Sequence, residues 1–521
     1  MVVYTTAHVE RIGNDISFRH CIYSYPERYG KFPLGHIRPG STGLYALGRY
    51  VNLQESKGEE NKRINMEQKP MAVVGAGLVG SLLAIYLSQR GYKVELFERR
   101  DDMRVGNMAG GRSINLALSD RGWKALRGVG IADEIMKIAI PMKGRMIHDI
   151  EGRTNLLPYG KEGDAIYSVS RGGLNCLLMS LAEEKGSKIH FNKRCKNISL
   201  KDASLILEDG VTKEESHFSA SRIFGTDGAF SATRLQVQLS TDRFEYSQHY
   251  LNYGYKELVI PPAANGGFAM EKNCLHIWPR GKFMMIALPN IDSSFTCTLF
   301  FPFEGEESFS TLTTKESVKK FFDKTFPDAV PLMPTLLHDF FHNPSASLVT
   351  VKCFPWNVED KMLLLGDAAH AIVPFYGQGM NCGFEDCMVL NEIMEKHLNK
   401  QDDEAAWKKV FEEIGQLRKT NSDAIAELAI ANFIEMRDLV THPDFILQKK
   451  IEAHFSSKHP DKWLPLYSMV TFSDLSYSYA LNKGREQDAI MRKVLSTPNI
   501  ADKWNSAEVE EMMLGLVKAN G

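Results

Sequence analysis

The stretch from Met71 to Glu98 constrains the fold of this chain more than any other. Four apolar residues, Met71 to Val74, lead into Gly75-Ala-Gly-Leu-Val-Gly80. A helical run from Ser81 to Arg90, then Gly91, and a second apolar run from Tyr92 to Phe97 come next, ending at Glu98. Strand, tight turn, helix and strand in that order form a βαβ unit, and such a unit closes on a parallel sheet. Gly75 permits the turn, Gly77 lets the backbone approach a pyrophosphate, and Gly80 brings the helix onto the strand. Gly91 is placed to cap the helix. Glu98, 18 residues after Gly80, stands at a strand end, where a carboxylate can hold ribose hydroxyls. The glycines alone are a weak signal. With strand, helix, strand and acid in register they point to a dinucleotide-binding α/β fold, without choosing between a flavin and a nicotinamide.

The rest of the chain is too long for one simple core; 521 residues suggest about two to four domains. Hydrophobic residues at 44% and charged residues at 24% are ordinary for a globular enzyme, and a net charge of −2 gives no reason to expect nucleic acid or an anionic membrane as partner. Eight cysteines without a CxxC or zinc-type pairing read as reduced structural thiols in a cytoplasmic protein, and no metal site is expected. The opening residues lack the apolar core of a secretory signal. Phe283 to Phe303 carries one charge, Asp292, but Pro289, Asn290, Ser293 and Ser294 interrupt it, so it reads as two buried strands and a turn rather than a membrane span. Residues 1–65 are rich in Gly, Tyr, Arg and Ser and lack periodicity; they read as a weakly ordered extension, with Met66 a possible natural start. Alternation in Tyr253 to Leu258 and Phe295 to Phe300 predicts strands, and the chain after residue 382 reads as mostly helical.

Two further segments carry chemistry. In Phe224 to Arg234 an Asp-Gly turn, Asp227-Gly228, precedes a helix. In Leu363 to Asn381 three apolar residues enter Gly366-Asp367, and a Pro- and Gly-rich turn ends in Gly379-Met-Asn381 at another helix start. Such turns aim bare backbone N–H groups at an anion or an electron-rich ring, and the helix dipole adds to them. Together, in this order, the three segments resemble the FAD-binding motifs of the single-component flavoprotein aromatic hydroxylases. The resemblance implies FAD as a tightly bound, non-covalent cofactor. Asp227 would lie in the turn beside the pyrophosphate, Asp367 would accept from a ribityl hydroxyl, and the amides of Gly379, Met380 and Asn381 would face the flavin N1–C2 edge. There is no second G-x-G-x-x-G, so NADPH is expected as a transient co-substrate.

From about Met71 to about Ala480 the chain also resembles the kynurenine 3-monooxygenase family. The stretches that carry this include Gly111 to Ser119, Pro141 to His148, Leu157 to Gly160, Tyr167 to Arg171, His276 to Pro279, Met285 to Asn290, Asn432 to Arg437 and Pro465 to Phe472. It implies an α/β architecture: a Rossmann-like FAD-binding domain (66–145, 168–235 and 350–400), an inserted β-sheet substrate domain (146–167 and 236–349) and a C-terminal helical region (401–521). Arg145 matches the arginine that grips the substrate carboxylate, and Tyr159 a tyrosine bonding the same group. Asn432 and Tyr467 close that end. Val79, Glu98, Arg99, Arg100, Ala117, Arg171 and Cys195 fall where the family contacts FAD, Cys195 through its backbone. The chain departs from the family at Tyr376, where Phe or His is common, and lacks the C-terminal membrane helix of eukaryotic relatives.

The same resemblance implies a reaction with no catalytic side chain. NADPH reduces FAD, O2 adds at C4a, and the flavin hydroperoxide hydroxylates L-kynurenine to 3-hydroxykynurenine in tryptophan degradation and quinolinate and NAD biosynthesis. A monomer or homodimer without a membrane anchor is expected. A hydroxylase of another aromatic acid, a reductase sharing the motifs and a flavin-binding module without turnover remain open alternatives.

Overall fold

A computed structural model of the chain describes residues 11–12, 15–16, 69–105, 114–399, 402–439 and 442–520. The chain divides into two units, 1–66 and 67–521. In the first, only an antiparallel pairing of Arg11–Ile12 with Asp15–Ile16 is described. The expectations of a weakly ordered extension and of a start at Met66 otherwise lie outside the described residues.

Met71–Val74 is a strand buried along its whole length. It lies in a six-stranded sheet ordered Lys188–His190, Val94–Phe97, Met71–Val74, Ile223–Gly225, Met362–Leu364 and Asn357–Val358. Every neighbouring pair is parallel except the last. The three central strands, Met71–Val74, Ile223–Gly225 and Met362–Leu364, are buried along their whole length and carry only apolar residues and one glycine, as strands covered on both faces must. Helix α1 (Leu78–Gln89) starts earlier than Ser81, because Gly77 takes the extended backbone of an N-cap; the chain leaves the helix through Gly91 at φ +86°. The register decides what the sheet can do. Val74, Gly225 and Leu364 stand side by side. The glycine turn, the Asp-Gly turn and the Gly-Asp turn therefore all leave the sheet at the carboxyl ends of three adjacent strands, where α/β sheets bind ligands.

The alternating segments pair antiparallel, with Tyr255 opposite Phe300, inside a seven-stranded sheet. Its order is Ala346–Phe354, Glu245–Ile260, Phe295–Pro302, Met284–Pro289, Cys274–Pro279, Gly144–His148 and Thr154–Pro158. The apolar run 283–303 is two strands and a turn, as its sequence suggested. One face of the sheet buries Trp278, Phe283, Phe295 and Phe301 under the helices Lys315–Thr325 and Leu336–His342. On its other side, Ile277, Met284 and Phe300 pack with residues of the C-terminal helices. A three-stranded sheet of Asn115–Leu118, Ile166–Ser170 and Ile140–Met142 carries Ala117. After the strands come α2 (Asp367–His370), α3 (Gly379–Leu398), α4 (Glu404–Ile434) and, further on, α5 (Tyr477–Leu495). Helix α4 runs on into a single π-type turn, Glu435–Leu439. Among the described residues no helix is long and apolar enough to cross a membrane, and the cysteines are free.

Candidate active site

A cavity of about 480 Å³ opens where the three turns leave the sheet and continues to the seven-stranded sheet and the C-terminal helices. Its first wall is the glycine turn. Gly75 sits at φ +99°, and a Cβ there would stand 2.8 Å from the Thr226 carbonyl oxygen, so the first two turns touch through bare backbone. A Cβ added to Gly77 would meet nothing within 4 Å, which leaves open space for an incoming phosphate. Gly80 does not reach the cavity; a Cβ there would lie 2.0 Å from the Gly75 carbonyl oxygen, so its smallness seats α1 on the turn. Glu98 lines the cavity and accepts from the Ala76 N–H at 3.1 Å and the Arg100 N–H at 3.0 Å.

Asp227 also lines the cavity, yet its carboxylate is engaged by the protein. It accepts from Ser231 Oγ (2.6 Å), Thr233 Oγ1 (2.5 Å) and the backbone N–H groups of Ala232 (2.7 Å) and Thr233 (3.0 Å), capping the helix Ala232–Ser240. A pyrophosphate would thus meet the turn's backbone rather than a free like charge. In the third turn Gly366 stands at φ +59°, and Asp367 is an exposed side chain on the cavity wall. After the short turn Pro374–Tyr376, Gly377 at φ +65° feeds into α3. Gly379 and Met380 line the cavity at the helix N-terminus, where backbone N–H groups lack helical partners. Asn381 is fully buried behind them. It accepts from the Ser119 N–H at 3.0 Å and donates to the carbonyls of Ala117 and Gly377 at 2.8 Å each, bracing the turn from inside.

Val79, Arg99, Arg100, Ala117, Arg171 and Cys195 share this cavity, together with Lys193 and Arg194, which sequence reasoning did not single out. Burial pushes the Cys195 thiol up to about 12, so its side chain stays neutral. Open backbone at Gly77, the N-terminus of α3 and this basic rim suit a dinucleotide with two phosphates and an electron-rich ring.

The far end differs in character. Leu275, Met284, Ile286, Leu288, Phe300 and Phe375 form an apolar wall, and Arg145 and Tyr467 reach the cavity beside it. The Arg145 guanidinium stacks over the Tyr467 ring, 4.5 Å from its centroid, and 5.7 Å from that of Tyr159. Tyr467 is itself sandwiched between Tyr159 (centroids 5.3 Å apart) and Tyr376 (5.6 Å). Arg145 Nε and the Tyr159 hydroxyl face this cluster, yet both are buried without a hydrogen bond of good geometry. Burial disfavours the Arg145 charge, but the oxygens of Tyr467 and Tyr159 and the Glu435 carboxylate outweigh it and hold the group protonated. Burial likewise pushes Tyr159 and Tyr376 well above the ordinary phenol range. Asn432 is not on the cavity wall. Its side-chain amide donates to the Phe375 carbonyl at 2.7 Å and so holds the turn before Gly377. Glu435, three residues on, was also missed in the sequence; its only signal was its place in the Asn432–Arg437 stretch.

Fold and site together define a flavoprotein: residues 68–413 match the family described as FAD binding domain. The solved structures it resembles include 2-methyl-3-hydroxypyridine-5-carboxylic acid oxygenase (TM-score 0.58, 18% identity, 72% of this chain and 95% of that one). Another is p-nitrophenol 4-monooxygenase PnpA from Pseudomonas putida (0.56, 16%, 84% and 99%). At such identities these show the fold alone. Sequence relatives are much nearer. The kynurenine 3-monooxygenase of Flavobacterium johnsoniae is 53% identical over 86% of this chain and 98% of its own. Those of Dictyostelium discoideum (48%; 82% and 93%) and Sus scrofa (42%; 83% and 90%) follow the same pattern. The chain belongs to the kynurenine 3-monooxygenase family of FAD-dependent oxidoreductases.

Proposed function

We propose that this chain is an NADPH-using monooxygenase that converts L-kynurenine and O2 to 3-hydroxykynurenine and water, in tryptophan degradation and the supply of quinolinate for NAD synthesis. The observation that carries this reading is Arg145 on the cavity wall, its buried Nε and the neighbouring Tyr159 hydroxyl both short of a well-formed hydrogen bond, beside an apolar wall. Leaving such donors unpaired costs about 1–3 kcal/mol each, a cost that a ligand can remove. A carboxylate fits the planar fork of arginine, and the apolar wall fits an aromatic ring. The names of the relatives supply the particular aromatic amino acid.

In this reading Arg145 and Tyr159 bind the carboxylate, and the Tyr467 ring stacks against the guanidinium. Asn432 acts on that end through the Phe375 carbonyl. Gly75, Gly77, Val79, Glu98, Arg99, Arg100, Ala117, Arg171 and the backbones of Cys195 and Asp227 would hold FAD, with Asp367 and the amides of Gly379 and Met380 at the ring end and Asn381 bracing them from behind. When bound and reduced by NADPH, FAD supplies the chemistry, activating O2 for transfer of one oxygen atom. The residues around the apolar wall hold the substrate ring in place and keep water out. The protein needs no strong base, because the aniline amino group already feeds electron density to the ring carbon beside it. Tyr376, on the cavity wall and held protonated by burial, can donate a hydrogen bond but takes no proton.

The test is NADPH consumption by the purified flavoprotein with and without L-kynurenine, with the product weighed by mass spectrometry. Strong stimulation with a product one oxygen heavier is expected. Stimulation yielding hydrogen peroxide alone would make kynurenine an effector and end this assignment.

A further inference from the structure

The flavin-facing turn at Gly366-Asp367 is held by a carboxylate that does not itself reach the cavity. Helix α2 has only four residues, and no side chain caps it. The Gly366 N–H instead donates to Asp386 Oδ2 at 3.1 Å, and Asp386 is fully buried on α3. The same oxygen receives His370 Nε2 at 2.5 Å from the end of α2, and Oδ1 receives Arg418 Nε at 2.7 Å from α4. Asp386 thus ties both ends of α2 to α3.

The position of Asp386 along α3 gives the contact its meaning. The first residues of α3, Gly379 and Met380, line the cavity, and Asp386 lies about two helical turns further along the same rigid rod. Between them Gly383 has no room for a Cβ, which would fall 2.6 Å from Val79 Cγ2; Gly366 also abuts Val79. The glycine turn, the Gly-Asp turn and the N-terminus of α3 therefore meet at one spot, and Asp386 fixes the distance between the last two.

His370, Cys382 and Asp386 bring ligand-type atoms within 4.8 Å of one another, as a cation site would. The Arg418 guanidinium already occupies that role: it donates to Asp386 and lies 3.3 Å from Cys382 Sγ, while its other nitrogen pairs with Glu385 at 2.6 Å. Burial opposes charge on His370, but the neighbouring Asp386 carboxylate outweighs it and holds the imidazole well above its ordinary range.

We propose that Asp386 is a positioning residue for the cofactor, holding the Asp367 carboxylate at a fixed spacing from the Gly379 and Met380 amides. This rests on the reading of Asp367 as a flavin contact. Asn at position 386 cannot accept from Gly366, His370 and Arg418 together, because one of its two ends is itself a donor.

The experiment compares Asp386→Asn with Arg418→Gln, which disturbs the buried charges but leaves the Gly366 acceptor, and with Asp367→Asn. The readouts are the FAD dissociation constant by flavin fluorescence, the midpoint potential of the bound flavin, and the melting temperature of the apoprotein. For Asp386→Asn a dissociation constant raised about tenfold or more is expected, with a shifted potential and an apoprotein no less stable than that of Arg418→Gln. An unchanged dissociation constant would overturn the proposal. So would FAD loss that merely follows apoprotein stability across both variants, since that is the behaviour of a structural ion pair. An unchanged constant in Asp367→Asn would remove the reading beneath the proposal, and the proposal with it. If Asp386→Asn does not fold, Asp386→Glu keeps the charge and moves the acceptor; it should still weaken FAD, and full affinity there would refute the spacing argument.

Discussion

Arg145 shows what a single residue can and cannot announce. Nothing in its spacing marks it as a ligand residue, and without the family resemblance an arginine in a strand reads as an ordinary surface or ion-paired charge. Its surroundings come from distant chain: Tyr467 over its guanidinium, Tyr159 beside it, and Glu435 in its field. If it binds the carboxylate, Arg145→Ala raises KM for L-kynurenine about a hundredfold, in line with about 2–3 kcal/mol for one partner of a buried charge pair. The visible absorbance of bound FAD should be unchanged, because none of the three turns involves this side chain. Arg145→Lys should recover little, since an ammonium cannot replace the fork. Tyr159→Phe removes one neutral donor and should cost about 1 kcal/mol, a roughly fivefold rise in KM. Equal kinetics for Tyr159→Phe and the parent would move the carboxylate elsewhere.

At the scale of elements, the strands Gly144–His148 and Cys274–Pro279 form the parallel pair that places Arg145, and a buried chain of polar groups stitches them. His276 Nε2 lies 2.8 Å from the Glu271 carbonyl, so it donates there, and its bare Nδ1 accepts from His148 Nε2 at 2.9 Å. His148 Nδ1 meets Asp328 Oδ2 at 2.7 Å, and Trp278 donates to the same carboxylate. Burial would raise Asp328, but the bonds from His148 and Trp278 outweigh it and hold the carboxyl low. Arg280 donates to the backbone carbonyls of His148 and Asp149, and its guanidinium lies in the field of the Asp328 carboxylate. Burial depresses His276 from 6.5 to about 4. The folded state therefore resists a proton that the unfolded chain takes up near pH 6.5. Stability from this site is present above pH 6.5 and is lost as pH falls toward 4, by up to about 3 kcal/mol. Urea midpoints measured from pH 7 to 4.5 should fall in the parent. They should fall less steeply in His276→Gln, which keeps a donor for Glu271 but does not titrate; identical slopes would refute the assignment.

For the whole molecule, the three turns converge from far-separated parts of the chain; if they hold FAD as proposed, it should act as a fastener between them. Saturation at about a thousand times the dissociation constant adds about 4 kcal/mol to stability, so the melting temperature should exceed that of the apoprotein by on the order of 5 °C and rise with FAD concentration. A melting temperature insensitive to FAD would mean that the turns are held without it. The βαβ unit, the Asp-Gly and Gly-Asp turns, the strands of 253–258 and 295–300 and the helical C-terminal part were all legible in the sequence. Each is dictated by neighbours along the chain: glycine where the backbone needs a positive φ or a bare Cα, and apolar residues at the period of a strand or helix. The family of the chain was legible through its resemblance, carried by stretches such as Pro141 to His148 and Pro465 to Phe472. The tertiary structure decided the rest. It turned Asp227 into a helix cap, set Asn432 on the Phe375 carbonyl, brought Arg145 and Tyr159 together with Arg145 Nε and the Tyr159 hydroxyl short of a well-formed hydrogen bond, and placed Asp386 behind the Gly366 turn. Those outcomes depend on strand register and on which buried donor finds which acceptor across hundreds of residues, and no local pattern carries that information.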